Sequence, residues 1–133
     1  EAKDQYVEEI KKHFESAIKF FEEGRALIDT DPVEASERLY KSVEESIKGL
    51  AKYYNIRDVL DRVNERGKWS TKDLDNAVIK ISERLGDWFR RSWETAYYLH
   101  VEGFQEARLD QVGVRVRVKD IEKVINAIKS IIS

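Results

Sequence analysis

Between Gly86 and Phe104 the chain reads Asp87-Trp88-Phe89-Arg90-Arg91-Ser92-Trp93-Glu94-Thr95-Ala96-Tyr97-Tyr98-Leu99-His100-Val101-Glu102-Gly103-Phe104, and this run decides what the rest can fold around. Phe89, Trp93, Ala96, Tyr97 and His100 stand at i, i+4, i+7, i+8 and i+11, which places them on one stripe of a helix. Asp87 is positioned to cap the start after Gly86, and Gly103 to take the left-handed conformation that ends the helix. Two tryptophans and a phenylalanine carry much of the apolar area available for burial. His100 lies on the stripe and is expected to be partly desolvated. Two readings are open for it: a packed histidine with a satisfied hydrogen bond, or a polar group lining a pocket between helices. Arg90 and Arg91 fall off the stripe, towards solvent.

The rest of the chain supplies helices for this one to pack against. Residues 3–28 predict a long first helix with two adjacent seven-residue series, Tyr6/His13/Phe20/Leu27 and Val7/Phe14/Phe21/Ile28. An ordinary surface helix needs one such seam, so burial on two sides is expected, against the bundle and against a second copy or a broader core. Asp31 as N-cap, Pro32 as first helical residue and Glu34 at the third position start a second helix that runs to about Tyr54 and ends at Asn55. Its Ala35, Ser36 and Gly49 are small enough for a neighbouring helix to come close. Residues 57–66 predict a short helix ended by Gly67. Ser70 or Thr71, with Asp73 completing a capping box, starts another that runs to Leu85.

Beyond Phe104 a short helical turn through Leu109 is expected. Val112, Val114, Val116 and Val118 then alternate with Gly113, Arg115, Arg117 and Lys119. This period of two predicts an extended segment over 112–118, because β-branched runs form poor helices. It is either a strap whose valines cover the core or a small basic ridge for phosphates, formed by Arg115, Arg117 and Lys119. Asp120 is expected to cap a last helix carrying Ile121, Val124, Ile125, Ile128, Ile131 and Ile132.

At 133 residues the chain is expected to form one domain, 1–133, able to bury about two thirds of its unfolded surface. Hydrophobic residues at 41% and charged ones at 38% suit amphipathic helices, and a single proline argues against a many-turned β fold. The absence of cysteine excludes disulfides and thiolate metal sites. No methionine occurs, not even an initiator, so the chain is expected to have been trimmed. Beside abundant Glu and Lys, this composition fits a thermophile. Net charge is −2, with 12 basic and 16 acidic groups up to residue 66 and 12 and 10 after it. That offers no general attraction for nucleic acid. Without a long apolar run or a signal core, a cytoplasmic location is expected.

Sites for chemistry are scarce. The glycines are isolated, so no phosphate loop forms. Two distant histidines make no transition-metal site. The pairs Asp29/Asp31, Asp58/Asp61 and Asp73/Asp75 sit where caps and solvated turns belong, so no metal, cofactor or catalytic residue is assigned.

Asp31-Pro32-Val33-Glu34-Ala35-Ser36-Glu37-Arg38-Leu39-Tyr40-Lys41-Ser42-Val43-Glu44-Glu45-Ser46-Ile47-Lys48-Gly49-Leu50-Ala51, together with Trp93, Ala96, Leu99-His100, Gly103-Phe104, Glu106 and Leu109 at their spacing, resembles the archaeal PaREP proteins. These are a branch of the HEPN-like helical superfamily. The resemblance spans roughly residues 5–130. It implies an all-α, up-and-down bundle of about five helices and a homodimer. It also implies association with RNA, nucleotides or a nucleotidyltransferase partner. Many relatives in that superfamily are ribonucleases with an arginine four to six residues before a histidine. Here His13 has no upstream arginine, and Arg91 precedes His100 by nine positions, about half a turn out of phase.

The sequence therefore favours a non-catalytic HEPN-like binding or interaction module. The alternatives are a ribonuclease with rearranged residues and a purely structural or regulatory protein. A pocket is expected between the second and central helices, with Trp93 as a stacking face, His100 as a hydrogen-bonding group, Lys41 as an anionic anchor, and Tyr40 and Glu106 nearby.

Overall fold

The computed structural model describes residues 6–133 and contains no strand among them. Its helices are α1 (Val7–Leu27), α2 (Pro32–Tyr53), α3 (Arg57–Arg66), α4 (Thr71–Leu85), α5 (Asp87–Tyr98), α6 (Gln111–Arg115) and α7 (Val118–Ile132). A π-helical continuation of α5 covers Leu99–Gln105. The five helices of twelve residues or more build an all-α bundle, as the amphipathic pattern predicts. The first three residues of the expected α1, 3–5, lie outside the described part. No helix among the described residues is long and apolar enough to cross a membrane.

The local start and stop signals of α2, the stop signal of α3 and the start signal of α4 act as read. Asp31 accepts the Glu34 amide at 3.1 Å with Pro32 opening α2. Ser70 and Asp73 form a reciprocal capping box on α4. Asn55 (φ 53°) and Gly67 (φ 81°) turn the chain out of α2 and α3 in the left-handed region. Asp73 also ties α3 to α4, through Arg66 and, at 3.9 Å, Arg62. Burial raises the Asp73 pKa, but the Arg66 guanidinium and the Ser70 amide and hydroxyl outweigh it and hold the carboxyl down at about 2.

The axis of the bundle is α2, not the aromatic helix α5. Every other helix touches it, and eleven of its 22 residues are buried. The reason is side-chain size. Ala35, Ser36, Ser42, Ser46, Gly49 and Ala51 let neighbours approach on several sides, and the serine hydroxyls donate back to Pro32, Leu39 and Ser42 carbonyls at 2.6–2.8 Å, so burial leaves them satisfied. Phe14 of α1 rests against Gly49, where a Cβ would lie 2.5 Å from its ring. The broad face of α1 is thus largely taken by its own hairpin partner. Phe14, Phe21 and Ile28 are buried, Tyr6, His13, Phe20 and Leu27 are half-covered, and Val7 is exposed.

Five expectations fail, each for a physical reason. Asp87 does not cap α5: Gly86, at a φ of 117° that favours glycine, takes the N-cap position, and Asp87 is the first helical residue with no side-chain hydrogen bond closing the helix start. Gly103 does not end the helix; it is buried inside the π-helical turns, and the left-handed residue is Ala107 (φ 54°), after which 107–110 is irregular instead of a helical turn. Residues 112–118 are not extended. Asp110 accepts the Gly113 amide at 2.9 Å and opens α6. Valines at every second position are also valines at every fourth. Val114 on α6 and Val118 at the start of α7 turn inward with Ile121, Ile125 and Ile128, while Val112 and, in the turn between the two helices, Val116 face out. Asp120, finally, does not cap α7, which begins at Val118; it accepts the Thr95 hydroxyl at 2.7 Å and so joins α7 to α5.

Candidate functional site

The aromatic residues of α5 divide between core and surface. Phe89 and Ala96 are fully buried and Trp93 is 3% exposed, whereas Tyr97 and Tyr98 remain 37% and 44% exposed. The π-helical turns that follow keep His100 against α2. Their approach is set by Gly103, whose added Cβ would stand 2.2 Å from the Ser36 Oγ.

The space expected to hold a pocket, between α2 and the central helix, is filled. The Tyr40 ring stacks on His100 with centroids 4.1 Å apart and lies 6.0 Å from Trp93; Tyr97 meets Tyr40 edge-on. His100 Nδ1 is 2.7 Å from Glu37 Oε1, and its Nε2 is 3.2 Å from Gln105 Nε2. Phe104 lies parallel to the imidazole at 6.5 Å. Burial, aided by the Glu44 and Glu37 carboxylates, raises the Tyr40 pKa well above the ordinary phenol value, which keeps the ring neutral. This cluster joins α2 to the π turns.

An open groove of about 550 Å³ lies beside it, between the start of α4 and the outer side of α5. Tyr97, Tyr98 and Val101 supply its apolar wall, and Glu94 and Glu102 stand above them. Lys72 and Asp75 face them from α4. Asp75 Oδ1 accepts the Trp93 indole N–H at 3.2 Å, which fixes the indole edge at the base of the groove. Glu94 pairs with Arg90 at 3.1 Å and Glu102 with Arg108 at 3.3 Å.

The residues singled out from sequence therefore converge only in part. Tyr40, Trp93 and His100 meet, but Trp93 is too buried to offer an open stacking face; Tyr97 and Tyr98 hold that position. Lys41 points to α1, its Nζ 5.9 Å from the Phe20 centroid. Glu106 pairs with Arg108 at the surface. The basic trio is split: Arg115 pairs with Asp29, Arg117 donates to the Gly113 carbonyl and lies 4.5 Å from the Tyr98 centroid, and Lys119 is exposed. His13 is held between Glu45 Oε1 at 2.8 Å and Lys52 Nζ at 3.0 Å. Burial raises the Glu45 pKa, but His13 and Lys48 together hold it below the ordinary carboxylate value.

Sequence reasoning missed Glu37, Gln105 and Asp75. Glu37 lies one turn before Tyr40 and so shares its face of α2, a usable signal once His100 is known to face that helix. Asp75 carried no such signal, because its tie to Trp93 depends on how α4 and α5 fold back on one another. No group of three or more histidines and carboxylates able to hold a metal occurs among the described residues.

Fold and site together define a small helical-bundle protein with a closed aromatic cluster and an open, acid-rimmed groove. The chain belongs to the archaeal PaREP1/PaREP8 family, whose profile matches residues 6–125. A crystal structure of a Sulfolobus solfataricus protein superposes with a TM-score of 0.80 at 30% identity, covering 87% of this chain and 96% of that one. The solution structure of the Orf c02003 protein gives a TM-score of 0.72 at 32% identity, over 83% and 85% of the two chains. No curated protein matches.

Proposed function

We propose that this chain is a non-catalytic, HEPN-like interaction module that docks a partner protein in the cytoplasm. The bonding of His100 carries the reading. Its Nδ1 is taken by Glu37, its Nε2 lies beside Gln105 and its ring is stacked on Tyr40, so the imidazole serves as a tie between helices. Ribonuclease chemistry needs an imidazole within reach of the 2′-hydroxyl proton and, beside it, a cation at the scissile phosphate. Arg91 does not fill the second role. It lies one turn from Thr95, whose hydroxyl reaches Asp120 on α7, while His100 faces Glu37 on α2.

Charge favours a protein over a nucleic acid as partner. The groove's carboxylates Asp75, Glu94 and Glu102 outnumber its one lysine, and Arg90 and Arg108 are bound to Glu94 and Glu102, so the groove offers no free cationic track for a phosphate backbone. The HEPN-like resemblance adds a nucleotidyltransferase partner and a homodimer to this reading. Val112 on α6 and Val116 just beyond its end, both exposed, are suited to such a self-contact. The test is incubation of purified protein with single-stranded RNA. The RNA is expected to stay intact; cleavage that disappears in His100→Ala, with the helical fold retained, would overturn the reading in favour of a nuclease.

A further inference from the structure

We infer that the α4–α5 groove is a slot for an arginine or lysine side chain, flanked by apolar residues, on the partner protein; this rests on the docking reading above. Three observations converge on a cation. The first is the wall: Tyr97 and Tyr98 stay 37% and 44% exposed, and a guanidinium or ammonium group is attracted to aromatic rings. Tyr98 already draws one cation from within the chain, since Arg117 lies 4.5 Å from its centroid.

The second is the state of the carboxylates. Glu94 and Glu102 have arginine partners, whereas Asp75 has the neutral Trp93 indole N–H. A carboxylate held by a neutral donor keeps its charge available, and it stands across the groove from the tyrosines. The third is shape. The trough is open and mostly apolar, which suits the aliphatic stem of a long side chain and its apolar neighbours. A free small amine would remain largely solvated there, whereas small-ligand sites enclose most of their ligand.

Arg117 competes for the Tyr98 ring, and Lys72 is the internal competitor for Asp75. It lies one turn before Asp75 on α4 and lines the same groove. Its removal and that of the Asp75 charge therefore act in opposite directions on a cationic guest.

The experiment is a calorimetric titration of the whole chain with a short capped peptide carrying one arginine between leucines. Its glutamine twin, spermidine and a single-stranded oligoadenylate are titrated alongside. The arginine peptide is expected to bind about tenfold more tightly than its twin. Asp75→Asn keeps the acceptor for Trp93 and removes only the charge; it is expected to weaken the arginine peptide about fivefold and leave the twin unmoved. Lys72→Gln is expected to tighten the arginine peptide about twofold. Equal binding of the twins, no effect of Asp75→Asn, or spermidine binding as tightly as the peptide overturns the slot alone. Oligoadenylate binding that Tyr97→Ala abolishes overturns both the slot and the docking reading.

Discussion

Gly103 shows how one residue type can serve two unrelated ends. Glycine near the end of an apolar stripe reads as a left-handed terminator, yet here it is buried in mid-turn because Ser36 lies against it. An added Cβ would stand 2.2 Å from the Ser36 Oγ and 2.6 Å from its Cβ, and the hydroxyl is held on the Pro32 carbonyl at 2.8 Å. Relief therefore requires α2 and the π turns to separate. Gly103→Ala is expected to cost about 1–3 kcal/mol in urea denaturation. Adding Ser36→Gly is expected to return part of that loss, although glycine inside α2 carries its own cost of about 1 kcal/mol. A Gly103→Ala change within about 0.5 kcal/mol would show that the contact gives way easily. A small residue is legible at this position from the sequence; its purpose is not, because the reason, Ser36, sits on another helix. His100 is similar. Its partial desolvation and need for a partner were legible from the stripe; Glu37 as the partner was not.

At the scale of elements, what was legible is what the chain decides locally. Asp31-Pro32, Ser70 with Asp73, Asn55 and Gly67 set their helix ends through atoms within a few residues. The segment 112–118 misled because its valines fit two periods at once, and the choice falls to packing against α2 and α5. The two conformations make different demands on the same residues. In a strap Val114 and Val116 would be equivalent; here Val114 on α6 is fully buried and Val116, just beyond its end, is 63% exposed. Val114→Ala is expected to cost about 2 kcal/mol in thermal or urea unfolding, and Val116→Ala to stay within about 0.5 kcal/mol. Equal losses at the two positions would restore the extended reading. The same ambiguity hid the fate of the basic trio, since Arg115, Arg117 and Lys119 share a face only in a strand.

For the molecule as a whole the question is which partner its charge admits. The net charge of −2 is unevenly spread, −4 in the first 66 residues and +2 in the rest, and the excess of cations in the second part does not form a track. Arg115 reaches back to Asp29 and Arg117 is drawn onto Tyr98, so two of three positive charges are occupied inside the chain. A surface that neutralised three phosphates of single-stranded RNA would release counterions, and its affinity would fall with salt at a logarithmic slope of about −2. This chain is expected to show a slope near zero for a labelled oligoribonucleotide, read by fluorescence anisotropy between about 50 and 200 mM salt. A slope of about −2 or steeper would mean that the cations converge on a backbone after all, and the protein-docking reading would fall with it. The groove supplies the counterpart. Binding of an arginine-bearing peptide there involves opposite charges near the surface, so it weakens as salt rises, though less steeply than a multi-phosphate contact. Salt sensitivity towards the basic peptide together with indifference towards RNA is the pattern that an acid-rimmed aromatic groove on a weakly negative bundle requires.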